Sequence, residues 1–387
     1  MKIVDICLSG SYNIGWGYQD NLISKYQFKN GNDVTLITSS FINDKNSEDY
    51  LEVEPGIYED NGVKVIRLKN GLSKKLTKLF RHYKNLYKTL VGENPDFIFI
   101  HCCQFIDIFY ICKYLEEHKN VKCVVDGHAD YTNSAQTKFA YLVHKTLWKR
   151  CAQMINNYAE KFYGVLPLRC DFIHDMYDID NSKIELLVMG ADDELLNKGR
   201  ENIKETRKKY NLNEDNFVIL TGGKIDYHKT ETLLLMKAVN ELNNKKIKLF
   251  IFGSVADKIK SDFNNLLSEN IIFAGWLEQQ EIYDVICASN VGFFPGRHSV
   301  IWEQMVASGT PCIFRKLPKT DHVDIGGNCV FIDDVSYEGI KEKLNFIVDK
   351  NNYSYLKKNA NTDKKNNFLY SQIAKKSVEV INNNSAY

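Results

Sequence analysis

Four clusters of residues have the types and spacing that ligand chemistry needs. The first is Ser9-Gly10-Ser11-Tyr12-Asn13-Ile14-Gly15-Trp16-Gly17-Tyr18, ahead of a segment that places Leu22, Ile23 and Tyr26 on one helical face. Glycines before a helix let backbone amides approach a phosphate or a sugar, and the amino end of the helix favours negative charge. The plainer reading of Gly15 and Gly17 is a tight turn that binds nothing. No third glycine completes the dinucleotide fingerprint, which counts against a nicotinamide-dependent oxidoreductase. The second cluster, Asp126-Gly127-His128-Ala129-Asp130-Tyr131, holds side chains that can hydrogen-bond sugar hydroxyls, with a histidine that responds to proton movement near neutral pH. A helix cap is its plainer reading.

The third cluster is Thr221-Gly222-Gly223-Lys224, followed by Lys229 five positions later. Two ammonium groups beside glycines at a strand-to-helix junction can clamp a diphosphate, although the spacing is not that of a P-loop and solvated lysines are the plainer alternative. The fourth runs from Phe293 through Pro295, Arg297, His298, Ser299, Val300 and Glu303 to Gly309. There a carboxylate in the first turn of a helix can take both hydroxyls of a ribose, or simply complement the helix dipole. Gly309 is placed to end that helix.

These clusters need elements to position them. Short apolar runs at Ile3–Leu8, Val34–Ile37, Val63–Leu68, Phe97–Ile100 and Val121–Val125 alternate with helical-length amphipathic segments, the pattern of a mostly parallel sheet with helices on both faces. A polar helical stretch from Leu195 to Tyr210 separates them from a second series at Phe217–Leu220, Ile247–Phe252, Ile271–Ala274, Val291–Phe294, Pro311–Phe314 and Cys329–Ile332. The expected architecture is therefore α/β, with one Rossmann-like domain over 1–194 and a second over 195–365. A Lys- and Asn-rich solvated connection over 350–367 leads into a carboxyl-terminal helix in 366–387 that returns to the first domain. Open sheets of this kind bind ligands outside the carboxyl ends of their strands, so the two domains are expected to face a cleft.

Length and composition agree. A chain of 387 residues with 44% apolar content fills two cores, and 50 basic against 49 acidic residues give no global preference for nucleic acid. The 10 cysteines include no Cys-x-x-Cys and read as buried thiols, and Asp178-Ile179-Asp180 reads as a surface turn; no metal site is expected. No stretch approaches the roughly 20 apolar residues of a spanning helix, so a cytoplasmic protein is expected.

Taken together the four clusters resemble the family 4 retaining glycosyltransferases of GT-B fold, of the bacterial surface-polysaccharide type, along nearly the whole chain. Gly15-Trp16-Gly17 and Asn30–Thr38 look like the family's amino-terminal loop and second strand, and Lys183–Asp192 looks like its interdomain signature. The resemblance implies a nucleotide-sugar donor, UDP-linked by family frequency, and no metal or other cofactor. Gly223, Lys224 and Lys229 match the donor-diphosphate motif, with Lys224 in place of an arginine and so without its bidentate fork. Trp276 and Leu277 match the loop that holds the base. Glu303 matches the ribose ligand, with His298, Ser299 and Val300 beside it. The family's other motif glutamate, eight positions before Glu303, is replaced by Pro295. His128 aligns with the histidine beside the donor sugar, so that His128, Lys224 and Lys229 are the implied catalytic set; Gly15 and Gly17 belong to the donor loop, and Asp130 and Tyr131 lie on the acceptor side.

A glycan or lipid-linked acceptor of capsule or lipopolysaccharide synthesis follows from the same resemblance. From Leu72 to Leu90 the apolar residues Leu76, Leu79, Phe80, Tyr83, Leu86, Tyr87 and Leu90 share one side of an expected helix and six basic residues lie largely elsewhere, a pattern that suits an anionic membrane surface or, equally, a core-facing helix. The alternative function is a non-catalytic GT-B protein that stabilises a partner enzyme, motivated by Pro295 and Lys224.

Overall fold

The computed structural model describes residues 1–44, 50–226 and 230–384. The chain divides into two compact units, Met1–Met189 with the segment from Tyr370 onward, and Gly190–Leu369. The strands of the first are β1 (Lys2–Cys7), β2 (Asp33–Ser39), β3 (Phe41–Asn43), β4 (Tyr50–Glu52), β5 (Gly56–Asp60), β6 (Val63–Leu68), β7 (Phe97–His101), β8 (Lys122–Gly127), β9 (Lys161–Gly164) and β10 (Ile184–Leu186). Its eight-stranded sheet has the order β10-β9-β8-β7-β1-β2-β6-β5, parallel throughout except for the β5–β6 hairpin, which turns on Asn61-Gly62 with both residues left-handed.

Alternation along these strands divides the apolar side chains between two cores. Val4, Ile6, Ile98 and Ile100 face one layer, and Ile3, Phe97 and Phe99 face the other. The second layer is covered by the helix Gln19–Lys29 and by the late helix Tyr370–Ser377, which buries Tyr370, Ile373 and Ala374. Ser377 and Gln27 are joined at 3.1 Å.

The second unit contains β11 (Phe217–Gly222), β12 (Ile247–Phe252), β13 (Ile271–Gly275), β14 (Val291–Phe294), β15 (Cys312–Arg315) and β16 (Cys329–Ile332). They form one parallel sheet in the order β13-β12-β11-β14-β15-β16, the doubly wound Rossmann order whose direction reverses between β11 and β14. In the first unit the same reversal falls between β1 and β7.

Three expected segments fold differently. The single helix over 72–90 is two short helices, Lys74–Phe80 and Leu86–Glu93, separated where Arg81 and Asn85 take left-handed φ of 55° and 68°. Tyr83, Leu86 and Leu90 go into the core while Leu76 and Leu79 stay exposed, so the expected stripe is divided. The stretch 195–210 likewise breaks at Asn202 into Asp193–Glu201 and Ile203–Lys209. The expected solvated connection over 350–367 contains the helix Lys350–Ala360, because the Asp349 carboxylate caps the backbone N–H groups of Asn351 and Asn352, both at 3.0 Å, and Leu356 and Ala360 are buried. Asp349→Ala should therefore cost about 1 kcal/mol in urea-induced unfolding; an unchanged midpoint and slope would show that packing alone holds this helix.

Candidate functional site

In the first unit the loop between β1 and the helix Gln19–Lys29 is held from below. Asp60 accepts hydrogen bonds from the Tyr12 hydroxyl (2.6 Å), the Gly15 N–H (3.2 Å) and the Asn21 amide (2.9 Å), and Arg67 donates to the carbonyls of Ser39 and Tyr12. Gly15, at φ +77°, has open space where a Cβ would stand. The loop that carries Gly15 and Gly17 is thus anchored through Asp60 and Arg67, two buried charges that sequence reading did not single out.

Beside that loop the carboxyl ends of β7 and β8 form a buried charge cluster. Asp126 accepts from the backbone N–H of Cys102 at 2.9 Å and lies 3.1 Å from both His101 Nδ1 and His128 Nε2. Asp20 is 3.4 Å from the same His101 nitrogen and takes the Cys7 thiol at 3.0 Å. Burial disfavours charge here, yet Asp20 and Asp126 raise His101 to about 9, and the two imidazoles hold the Asp126 carboxyl well below the usual carboxylate range. Asp5, under this cluster, is pushed up by burial to about 6, with His101 and a hydrogen bond from Ser24 offsetting part of the rise. His128 is the partly exposed member, so Asp126 orients the one ring that can meet a ligand.

Asp130 does not stand open as an acceptor contact. It is buried, and its oxygens accept from Thr132 (backbone and hydroxyl, both 2.7 Å), Asn133 N–H (3.0 Å) and Arg169 (3.2 Å). Its short side chain closes the turn that follows β8, while Tyr131 beside it is exposed with its ring edge on Phe172. Asp178 and Asp180 form the surface turn expected of them: Asp178 pairs with Lys149, and Asp180 caps a short turn through Ser182 N–H at 2.8 Å.

In the second unit three strand ends meet through glycine backbones. Gly223, Gly253 and Gly275 have φ of +112°, +112° and +70°, and Gly223 N–H reaches Phe252 O at 3.0 Å while Gly253 N–H reaches Gly275 O at 2.7 Å. A Cβ on Gly253 would stand 2.0 Å from the Gly223 carbonyl oxygen. The result is a bare backbone floor from which Lys224 projects, exposed. Lys229 lies outside the described residues. Trp276, 76% exposed, follows the last of these glycines, and Leu277 is buried next to it.

Across the switch point, β14 is followed by Pro295, which is buried, and the helix Ile301–Ser308 begins after Ser299 and Val300, whose carbonyls accept its first N–H groups. Gly309, left-handed at φ +76°, terminates it. Glu303, the residue that the resemblance assigns to the ribose, is fully buried. Its Oε1 lies 2.8 Å from His298 Nε2 and 2.9 Å from His322 Nε2, and Oε2 has no partner. Burial alone would raise this carboxyl; the two histidines instead hold it at about 2. His322 sits 19 residues along the chain from the helical Glu303, in the short turn Asp321–Val323, so no spacing could have disclosed it. Three groups place ligating atoms within 4.8 Å of one another among the described residues: His298-Glu303-His322, Asp20-His101-Asp126 and Cys102-Asp126-His128. Each has the composition to hold a metal, but its histidine nitrogens already face carboxylates at hydrogen-bond distance.

With this geometry established, residues 202–365 match the family model described as glycosyl transferases group 1, a span that lies within the second unit. Over the whole chain the fold is similar to a glycosyltransferase from Rickettsia africae (TM-score 0.69, 14% identity, 100% of this chain and 98% of that one) and to the Thermosynechococcus elongatus sucrose-phosphate synthase (0.66, 15%, 100% and 99%). It is also similar to the Anabaena HepE protein in complex with UDP and glucose (0.63, 12%, 99% and 100%). No curated protein matches the chain. The protein therefore has the GT-B fold, with two Rossmann-like units, and its second unit carries the glycosyl transferases group 1 domain, which supports glycosyl transfer from a nucleotide sugar.

Two outcomes test this description. The imidazole NMR signals of His101 should titrate near pH 9 and move to well below that in Asp126→Asn, so that the ion pair stabilises fully below about pH 6.5 and is lost as pH rises through 9; a His101 midpoint near 6.5 in the parent protein would refute the buried pair. Gly253→Ala should lose at least about 2 kcal/mol of stability, since it combines a left-handed φ with a backbone collision. A melting temperature equal to that of the parent would mean that the floor is not close-packed.

Proposed function

We propose that the protein is a retaining, metal-independent glycosyltransferase that moves a sugar from a UDP-linked donor to a glycan or lipid-linked acceptor in bacterial capsule, lipopolysaccharide or related surface-polysaccharide synthesis. The observation that carries this reading is the glycine floor with Lys224, within the span that matches the glycosyl transferases group 1 model. A backbone without Cβ atoms admits a diphosphate closely, and a lysine at its edge supplies charge where the leaving group develops it.

In this reading Lys224 and Lys229 hold the donor diphosphate, the backbone at Trp276 and Leu277 meets the base, and Glu303 takes the ribose once His298 turns aside from Oε1. The helix starting after Ser299 and Val300 adds the positive end of its dipole. The bond from the anomeric carbon to the diphosphate breaks as the bond to the acceptor oxygen forms on the same face, and the departing diphosphate accepts the acceptor's proton. His128, oriented by Asp126, is assigned to the donor sugar, with Gly15 and Gly17 in the loop beside it. Solved neighbours in complex with UDP-glucose, and with ADP and acarbose, support a nucleoside-diphosphate donor and leave uridine against adenine to experiment. The absence, among the described residues, of a helix long and apolar enough to cross a membrane is compatible with a cytoplasmic site of action at the inner membrane face.

A second reading, a non-catalytic GT-B partner protein, is favoured by two observations: Pro295 stands where the family has a glutamate, and Glu303 is enclosed. A thermal-shift comparison of UDP, GDP, ADP, CMP and NAD separates the readings. UDP at a hundredfold excess over its Kd should raise Tm by roughly 5 °C or more, and Lys224→Ala should reduce that shift. No shift with any nucleotide would overturn the transferase reading. A shift without release of UDP from UDP-sugars on any acceptor would favour the non-catalytic one.

A further inference from the structure

The first unit contains a cavity of about 340 Å³ beside the loops that follow β7 and β8, and the described residues of its wall include no carboxylate. Arg81, at the left-handed break after the helix Lys74–Phe80, projects into this wall. Its guanidinium stacks 5.2 Å from the Trp148 ring and donates to the Gln104 carbonyl, and among the described residues it has no acidic partner. Burial lowers its affinity for its proton, a sign that the charge is poorly compensated, since an arginine does not give up its proton in a protein. Lys78, one turn earlier, adds a second cation, placed 4.9 Å over the Tyr50 ring and likewise without a carboxylate among the described residues.

A third donor comes from His144. The Gln104 amide donates to the Tyr177 hydroxyl at 2.9 Å, and that hydroxyl lies 2.7 Å from His144 Nδ1. Burial and the nearby Arg81 charge lower His144 to about 4, so the ring is neutral at physiological pH. A neutral ring that accepts at Nδ1 carries its proton on Nε2, leaving an N–H to offer. His144 and Trp148 are the buried ends of a π-helical stretch, His144–Trp148, inside an otherwise α-helical run, a distortion that recurs at functional sites. Phe139, 69% exposed, and Leu79, 48% exposed, form an apolar rim.

We propose that this cavity binds a phosphate group of the acceptor, held by the Arg81 guanidinium with Lys78 and the His144 N–H, while the portion next to the phosphate lies against Phe139, Trp148 and Leu79. An arginine unpaired inside protein is stabilised by an anion that neutralises it, and a guanidinium matches a phosphate with two parallel hydrogen bonds. Two cations and a neutral donor, with no acid on the wall, suit a dianion better than a hydroxylated neutral sugar. The acceptor assignment rests on the transferase reading; the anion site itself does not.

Isothermal titration of the full-length chain with inorganic phosphate, octyl phosphate and octyl glucoside tests it. Octyl phosphate should bind one to one and octyl glucoside should not. At least about tenfold tighter binding of octyl phosphate than of inorganic phosphate supports a lipid phosphate as the source, and equal affinities support a soluble phosphorylated acceptor. Arg81→Gln should weaken phosphate binding about tenfold or more, Arg81→Lys should restore part of it, and Lys78→Gln, at a half-buried position, should weaken it about threefold. Should Arg81→Gln fail to fold, as judged by circular dichroism, the Lys78→Gln comparison decides. Binding should persist with UDP at saturation, and the UDP thermal shift should be unchanged in Lys78→Gln.

Absence of phosphate binding, or parental affinity in both Arg81→Gln and Lys78→Gln, would overturn the proposal. So would displacement of UDP by phosphate that depends on Arg81, because the cavity would then hold the donor. Failure of the transferase reading has a different signature: no UDP shift, with phosphate binding intact.

Discussion

Parallel strands present all their carboxyl ends along one edge of a sheet, and that geometric fact positions the glycine loops and the histidine–carboxylate clusters of both units. In the first unit the ends of β1, β7 and β8 deliver the Gly15 loop, His101 and Asp126 to one place. In the second, the ends of β11, β12 and β13 deliver three glycines, and the end of β14 leads into the Glu303 helix. Because both sheets are doubly wound, the helices leave this edge uncovered at the reversal of strand order, where a ligand can approach without displacing the core.

The same arrangement forces charge into low-dielectric surroundings, and each buried acid is answered locally. Asp126 is met by two imidazoles and a backbone N–H, Asp60 by four donors, and Glu303 by His298 and His322. A carboxylate deprived of water needs such donors, since removing one leaves a desolvated charge. Arg81 is the contrasting case, a cation with an aromatic face and a carbonyl but, among the described residues, no acid. The orphaned Oε2 of Glu303 is a smaller departure of the same kind.

Glycine shapes the backbone floor of the second unit more than any charged residue does. Gly253 approaches the Gly223 carbonyl so closely that a methyl group has no room. This contact joins neighbouring strand ends rather than neighbouring residues. Sequence reading identified Gly222 and Gly223 because they adjoin Lys224, reached Gly275 only as part of the loop at Trp276, and passed over Gly253, which has no charged neighbour to mark it.

The sequence by itself determined the fold class, because short, nearly continuous apolar runs alternating with amphipathic segments point to a parallel sheet covered on both faces. The six strands of the second unit appear close to where the pattern puts them. It also contained the Asn61-Gly62 hairpin signal, which the more prominent βα alternation masked. Sequence equally supplied the helix stop at Gly309, a local conformational preference that needs no tertiary context. Only the tertiary structure decided which charges are solvated and which are enclosed. His322 meets Glu303, Asp60 meets Tyr12, and Arg81 meets Trp148 through contacts separated by 19, 48 and 67 residues, respectively. Tertiary packing likewise broke the expected 72–90 helix, because Tyr83, Leu86 and Leu90 could enter the core only if the chain turned at Arg81–Asn85. Spacing along a chain reports which side chains share one element; it carries no information on which element will lie opposite, and it is the opposite element that sets the burial and the charge of a site.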